Sequence, residues 1–196
     1  RDASGSRSEE RTTTYNHRRR LAGPDLGGRR KPSAESINTG WRNASVRAYA
    51  DYMHEYGKGG ARALKYKTTK NLARLNWWTI EFGLIQKEDG LKLYGAGLCS
   101  SFGEAQYCLD DPSAHHIKFD LERCMRTKVY INDFQPCYFV IDSFESLFEQ
   151  AVHTDFSPMY KSFKGMDGRD QAEEYLPFDL QEGDEVLRAG TQDYIK

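Results

Sequence analysis

A mainly α-helical domain with short β-hairpins is the fold class the sequence predicts, and three observations predict it. Tyr49, Tyr52, Met53 and Tyr56 recur at helical spacing. A longer apolar stripe follows from Leu72 through Leu75, Trp78 and Thr79 to Phe82. Asp89-Gly90 then separates two short apolar runs, a strong signal for a hairpin.

The elements follow in chain order. Gly57 and Gly59-Gly60 are expected to end the first helix soon after Tyr56. Thr68 or Thr69 caps a second helix that runs to Phe82, with Gly83 beyond it. Trp77 and Ile80 make its far side apolar too, so its C-terminal half is expected to be buried all round. Gly83–Ile85 and Leu91–Tyr94 form the hairpin around Glu88-Asp89-Gly90, and Gly95-Ala96-Gly97 permits a tight turn or a close backbone approach. Ser101-Phe102-Gly103-Glu104 has the form of a capping box and opens another helix. Thr127–Ile131 and Cys137–Ile141 read as strands, and Phe144, Leu147, Phe148 and Val152 as a final amphipathic helix. The last thirty-odd residues show no clear period.

Charge divides the chain. Residues 1–47 carry 11 Lys and Arg against 5 Asp and Glu, and the remainder 17 against 24, so a segment of net charge +6 precedes one of −7. The first segment has no Phe, Cys or Met, one Trp (Trp41) and one Tyr (Tyr15). It cannot bury enough apolar surface to offset its ordering entropy, so residues 1–47 are expected to be a basic, disordered segment and 48–196 the globular part. No aromatic interleaving among its arginines supports nucleic-acid binding. No apolar run approaches the roughly 20 residues that span a bilayer. Cys99, Cys108, Cys124 and Cys137 lack zinc or Cys-x-x-Cys spacing and read as buried, reduced thiols of a cytoplasmic protein.

Trp77-Trp78-Thr79-Ile80-Glu81-Phe82-Gly83-Leu84 sets one carboxylate in an apolar run. A buried carboxylate is paired, protonated or metal-bound, because its isolated charge is expensive. Two readings stand open from the residues alone: an ion pair with Arg74 or Arg126, or metal ligation.

This run, with Tyr94-Gly95-Ala96-Gly97-Leu98-Cys99-Ser100-Ser101-Phe102-Gly103-Glu104 and Phe134-Gln135-Pro136-Cys137-Tyr138-Phe139, resembles the pterin-dependent aromatic amino acid hydroxylases. Tyr49-Ala50-Asp51-Tyr52-Met53 and Gly57–Gly60 are similar to their bacterial phenylalanine 4-hydroxylases. The resemblance covers about residues 48–196. It implies the C-terminal part of the family's basket-like catalytic domain, incomplete at its N-terminus, with residues 1–47 foreign to it. It implies an oxidoreductase that hydroxylates L-phenylalanine to L-tyrosine with O₂, tetrahydrobiopterin and one non-haem Fe(II) held by two histidines and a glutamate.

Carried over by motif, Glu81 is the iron ligand, Trp77 and Phe82 wall the substrate pocket, and Gly97 and Ser100 lie near the substrate's amino-acid end. The family's two histidines fall just before Tyr49, where Ser36–Ser45 contains none, and Asn76 stands where an aromatic residue is more usual. The alternative function is therefore a catalytically inactive, truncated or frameshifted chain with no iron site. His17, His54, His115, His116 and His153 read as surface or capping residues. A monomer is expected, since no C-terminal heptad helix is evident.

Overall fold

The computed structural model describes residues 46–152, 154–164 and 173–193, with side chains from Ala50 onward and without that of Val152. Expectations for the basic segment up to residue 45, including His17, and for His153 lie outside the described residues. The described part contains α1 (Val46–Tyr66), α2 (Thr69–Asn76), a π-helical turn (Trp77–Glu81), β1 (Leu84–Lys87), β2 (Gly90–Leu93), α3 (Ala96–Ser100) and α4 (Phe102–Asp110). It continues with β3 (His115–Lys118), α5 (Leu121–Arg126), β4 (Cys137–Ile141), α6 (Phe144–Val152), α7 (Ser157–Phe163) and β5 (Val186–Arg188).

The strands form one mixed sheet in the order β2-β1-β4-β3-β5. The expected hairpin is present, with Leu84 opposite Leu93 and Gly90 at φ +116° closing it against Lys87. The other strands do not form a second hairpin: β1 and β3 flank β4 in parallel, and β5 returns antiparallel to β3. All five residues of β4 are buried, which is the pattern of a central strand covered on both faces. Cys137, Phe139 and Ile141 face one core with Tyr52, Leu75, Trp78, Phe144 and Tyr160, while Tyr138 and Val140 face another with Leu93, Leu98, Ala105 and Cys108.

Several elements differ from expectation, each for a local reason. α1 does not stop at its glycines but runs through them to Tyr66. Tyr52, Gly59 and Ala63 form its buried stripe, and the Leu72 side chain of α2 packs beside Gly59 at ordinary contact distance, 4.0 Å from where a Cβ would stand. Burial of that stripe, with the helix-forming Ala61, Ala63, Leu64 and Lys65, offsets the roughly 1 kcal/mol that each of the three helical glycines costs. The helix ends instead at Lys67, which adopts φ +57°. Met53, on the expected face, is 38% exposed, and the side chain of Tyr49 lies outside the described ones.

The second helix does not continue as α-helix to Phe82. After Asn76 the ladder widens, and the Phe82 N–H donates to the Trp77 carbonyl five residues back at 3.0 Å. The Thr79 hydroxyl donates to the Leu75 carbonyl at 2.5 Å and lies 3.2 Å from the Tyr52 hydroxyl, a side-chain competition that bends helices. Trp78, Thr79 and Ile80 are therefore buried while Trp77, Glu81 and Phe82 are only half-buried, so the turn is not enclosed all round. Wide turns of this kind occur at functional sites.

The Ser101-x-x-Glu104 pattern does open α4, but no capping hydrogen bond forms, because Glu104 turns inward. Within 127–131 only Thr127 makes a sheet-like contact, a bridge to Tyr175. β3 and α7 carry no clear sequence signal, and α6 is followed by α7 rather than being last. Cys108, Cys124 and Cys137 are free and buried, whereas Cys99 is free and exposed. Among the described residues no helix is long and apolar enough to cross a membrane.

Candidate functional site

Glu81 closes the π-helical turn, and the chain beside it is set by a backbone contact at Gly95 that only glycine allows and a tight one at Gly97. A Cβ on Gly95 would lie 2.3 Å from the Glu81 carbonyl oxygen and 2.8 Å from the Gly83 nitrogen. The β1–β2 hairpin therefore returns its chain directly onto the end of the turn, and α3 begins there. Two residues further, a Cβ on Gly97 would stand 3.3 Å from Glu81 Oε2, 3.0 Å from its carbonyl oxygen and 3.2 Å from Phe82 Cζ. The Trp77 and Phe82 rings stack with centroids 4.7 Å apart and an interplanar angle of 27°. Trp77, Glu81, Phe82 and Gly97 thus come together on one half-exposed face. Ser100 is exposed, and its hydroxyl donates to the Gly97 carbonyl of its own short helix at 2.8 Å.

Neither basic residue weighed as a partner reaches Glu81. Arg74 pairs with Glu174 at 2.7 Å, and Arg126 with Glu122 at 3.1 Å. Among the described residues the Glu81 carboxylate makes no hydrogen bond or ion pair. Unlike a carboxylate locked in a pair, it keeps its oxygen lone pairs for a ligand.

Two residues that sequence reasoning missed support this face from behind. The Trp77 Nε1–H donates to Gln135 Oε1 at 3.3 Å, and Gln135 Nε2 donates to the Tyr130 carbonyl at 2.5 Å. The Gln135 backbone N–H and the Tyr138 hydroxyl both donate to Glu104 Oε1 at 3.0 Å. Burial pushes the Glu104 carboxyl above the usual carboxylate range, against the lowering effect of these two donors. Glu104 and Gln135 stand in the runs that carry the family resemblance, and Glu104 also in the capping-box spacing, but nothing local in the sequence brings the two together.

The histidines lie elsewhere. His54 is exposed on α1, as expected of a surface residue. His115 and His116 are not surface or capping residues but buried members of β3. His116 Nε2 lies 2.8 Å from the Cys108 carbonyl, and burial with nearby Arg188 lowers its imidazole to about 4. His115 accepts the Gly190 N–H at Nδ1 (2.8 Å), so its Nε2 carries the proton and donates to the Phe178 carbonyl at 3.1 Å. An open groove of about 440 Å³ between Lys118, Arg123, Arg126, Tyr175 and Gly183 includes none of the residues around Glu81.

A non-haem iron of the implied kind needs three convergent ligands. Among the described residues no group of three His, Cys, Asp or Glu side chains could hold a metal ion. Glu81 fits one ligand position, as an unpaired oxygen donor beside an apolar wall, and the described residues alone do not complete the set.

Residues 45–164 match the model of the biopterin-dependent aromatic amino acid hydroxylases. A phenylalanine-4-hydroxylase of Caulobacter vibrioides is 48% identical over 146 residues, covering 74% of this chain and 47% of that protein. One of Ralstonia nicotianae is 46% identical over 145 residues, covering 74% and 44%. The fold matches an iron- and phenylalanine-bound crystal structure of phenylalanine hydroxylase from Chromobacterium violaceum, with a TM-score of 0.67 and 43% identity over 72% of this chain and 50% of that one. The chain therefore spans about half the length of the relatives it matches.

Proposed function

Because this chain belongs to the biopterin-dependent aromatic amino acid hydroxylases, we propose that its lineage performs hydroxylation of L-phenylalanine to L-tyrosine and that the chain carries the carboxylate part of that reaction's iron site. The observation that carries this reading is the Glu81 carboxylate, unpaired among the described residues and set over Gly97 beside the Trp77–Phe82 stack. Glu81 is the iron ligand. Trp77 and Phe82 form the wall that takes the aromatic ring, since flat apolar surface orients such a ring without competing for the metal. Gly97 leaves room beside the carboxylate where any side chain would crowd it, and Ser100 fixes α3 at that point. Iron and tetrahydrobiopterin supply the oxygen chemistry when bound, and these residues position the partners.

The substrate is supported by the names of the relatives and by the phenylalanine in the C. violaceum structure. A family match over residues 45–164 supports reading that stretch as catalytic-domain sequence, and this reading extends the domain to 48–196 and takes residues 1–47 as foreign to it. A monomeric, cytoplasmic protein completes this reading.

A second reading, a chain without an iron site of its own, is favoured by a specific observation: no three-ligand group occurs among the described residues, and His115 and His116 are engaged elsewhere. One carboxylate without two imidazoles holds Fe(II) weakly. The purified chain is therefore expected to retain little iron and to form no tyrosine from L-phenylalanine with tetrahydrobiopterin and O₂. Stoichiometric iron with pterin-dependent tyrosine formation would show instead that the chain is a complete hydroxylase.

A further inference from the structure

The half-buried indole of Trp77 is held at one edge by a buried side chain, that of Gln135. Stacking on Phe82 fixes the plane of the indole but leaves it free to slide and turn within that plane. A hydrogen bond from Nε1–H to a fixed acceptor removes that freedom, and Gln135 Oε1 is such an acceptor. The orientation of the Gln135 amide follows from its partners. The Tyr130 carbonyl can only accept, so Nε2 faces it and Oε1 is left for the indole. The backbone of Gln135 is pinned by Glu104, which Tyr138 holds from the other side. Gln135 and Glu104 are 2% and 7% exposed, and the neighbouring Phe134 packs on Tyr107 with ring centroids 5.2 Å apart. Few alternative positions are open to a side chain fixed at this many points.

We propose that Gln135 is a positioning residue for the aromatic substrate: it locks the Trp77 indole into the pocket wall, and Glu104 locks Gln135. This rests on the reading of Trp77 and Phe82 as the wall that takes an aromatic ring. Gln135 acts through Trp77. Removing its acceptor leaves the wall's residues in place but lets the indole turn, so an incoming ring meets a mobile surface and must order it on binding. The Glu104 carboxylate acts one step further back, so Glu104→Gln, which keeps an oxygen acceptor for the Gln135 N–H, is expected to preserve the wall.

The test uses the whole chain labelled with ¹⁵N at its three tryptophans, the Trp77 indole resonance being assigned by its loss in Trp77→Phe. In Gln135→Met, which keeps volume but has no amide, the Trp77 Nε1–H resonance is expected to shift and exchange faster with water. The Trp78 resonance, whose indole donates to the Thr127 carbonyl at 3.2 Å, should stay in place and report an intact fold. Titration with L-phenylalanine, followed on the Trp77 resonance, should show affinity weakened about three- to tenfold, the range of one net hydrogen bond. Glu104→Gln should leave both readouts near wild type. An unchanged Trp77 resonance in Gln135→Met, or unchanged affinity for L-phenylalanine, overturns the proposal.

Should Gln135→Met fail to fold, hydrogen exchange in the wild type decides instead. A Trp77 Nε1–H protected relative to free tryptophan supports the lock, and an unprotected one overturns it. If L-phenylalanine moves no tryptophan resonance of the wild type, the substrate-wall reading fails, and the response of Trp77 to Gln135→Met still decides whether Gln135 holds the indole.

Discussion

Two regions of this molecule bury or half-bury charge, and they treat it in opposite ways. Around β3 and the 173–193 segment that covers it, Arg123 and Asp184 are matched to each other, and Arg188 donates to the Ala114 and Leu109 carbonyls. Arg123 binds both oxygens of Asp184 at 2.9 and 3.3 Å, the Thr127 hydroxyl at 2.8 Å and the Asp179 carbonyl at 2.8 Å. It also lies 4.8 Å from the Tyr175 ring, and the side chains of Arg123 and Asp184 are each 5% exposed. His115 uses both ring nitrogens on the same segment. At the end of the π-helical turn, by contrast, Glu81 has no partner among the described residues and sits on an aromatic face left half-open. Matched charge of the first kind builds structure. Unmatched charge on a preformed face is what a ligand site needs, since a carboxylate already engaged in a pair has little left to offer a metal.

The contrast predicts that the first region carries stability and the second does not. The largest effect belongs to Arg123→Met, which leaves Asp184 charged, buried and unpaired. It should cost about 3–5 kcal/mol in chemical denaturation. A loss below about 1 kcal/mol would mean that the 173–193 segment is held mainly by something else.

Adjacent tryptophans sharpen the comparison within one turn. Trp78 is fully buried, edge-on to Phe139 and bonded to the Thr127 carbonyl, so Trp78→Ala should cost about 3–5 kcal/mol. Trp77→Ala, on the open face, should cost about 1 kcal/mol. Equal losses at the two positions would remove the distinction between core and site.

Acid should find the β3 region before the site. The His116 imidazole is lowered by burial to about 4, against about 6.5 in an unfolded chain. The unfolded chain then takes up a proton that the folded one refuses. Stability is therefore unaffected above pH 6.5 and falls by about 3 kcal/mol as the pH drops from 6.5 to 4. Glu104, raised by burial, works with the opposite sign in the carboxylate range, so the window is best read as the difference between wild type and His116→Gln. Urea midpoints that fall equally in both proteins between pH 6.5 and 4 would refute the assignment.

Much of this was legible in the chain, though unevenly. Asp89-Gly90 placed the hairpin because the turn chemistry is local, and the unbroken apolar run Cys137–Ile141, rich in aromatic and β-branched residues, placed a strand for the same reason. The run around Glu81 and the close approach at Gly95-Ala96-Gly97 were legible because so few residue types tolerate those positions. What escaped depends on distant contacts. α1 continues through its glycines because Tyr52 and Ala63, on either side of them, are buried in a core built by elements distant in sequence. The π-helical turn depends in part on Tyr52 meeting Thr79 across 27 residues. Glu104 turns inward because Gln135 and Tyr138, more than thirty residues away, present donors. His115 and His116 read as surface residues because no local pattern announced the segment that covers them.

The smallest expected effect on stability, and the one that bears most on function, is at Glu81 itself. Glu81→Gln should change stability by no more than about 0.5 kcal/mol, as expected where no pair is broken. Its consequence should appear in an anaerobic Fe(II) titration of wild type and variant followed by calorimetry. Weak binding by the wild-type chain that Glu81→Gln abolishes is the predicted result. Binding of equal strength in both proteins would contradict the assignment of Glu81 as the metal-facing carboxylate.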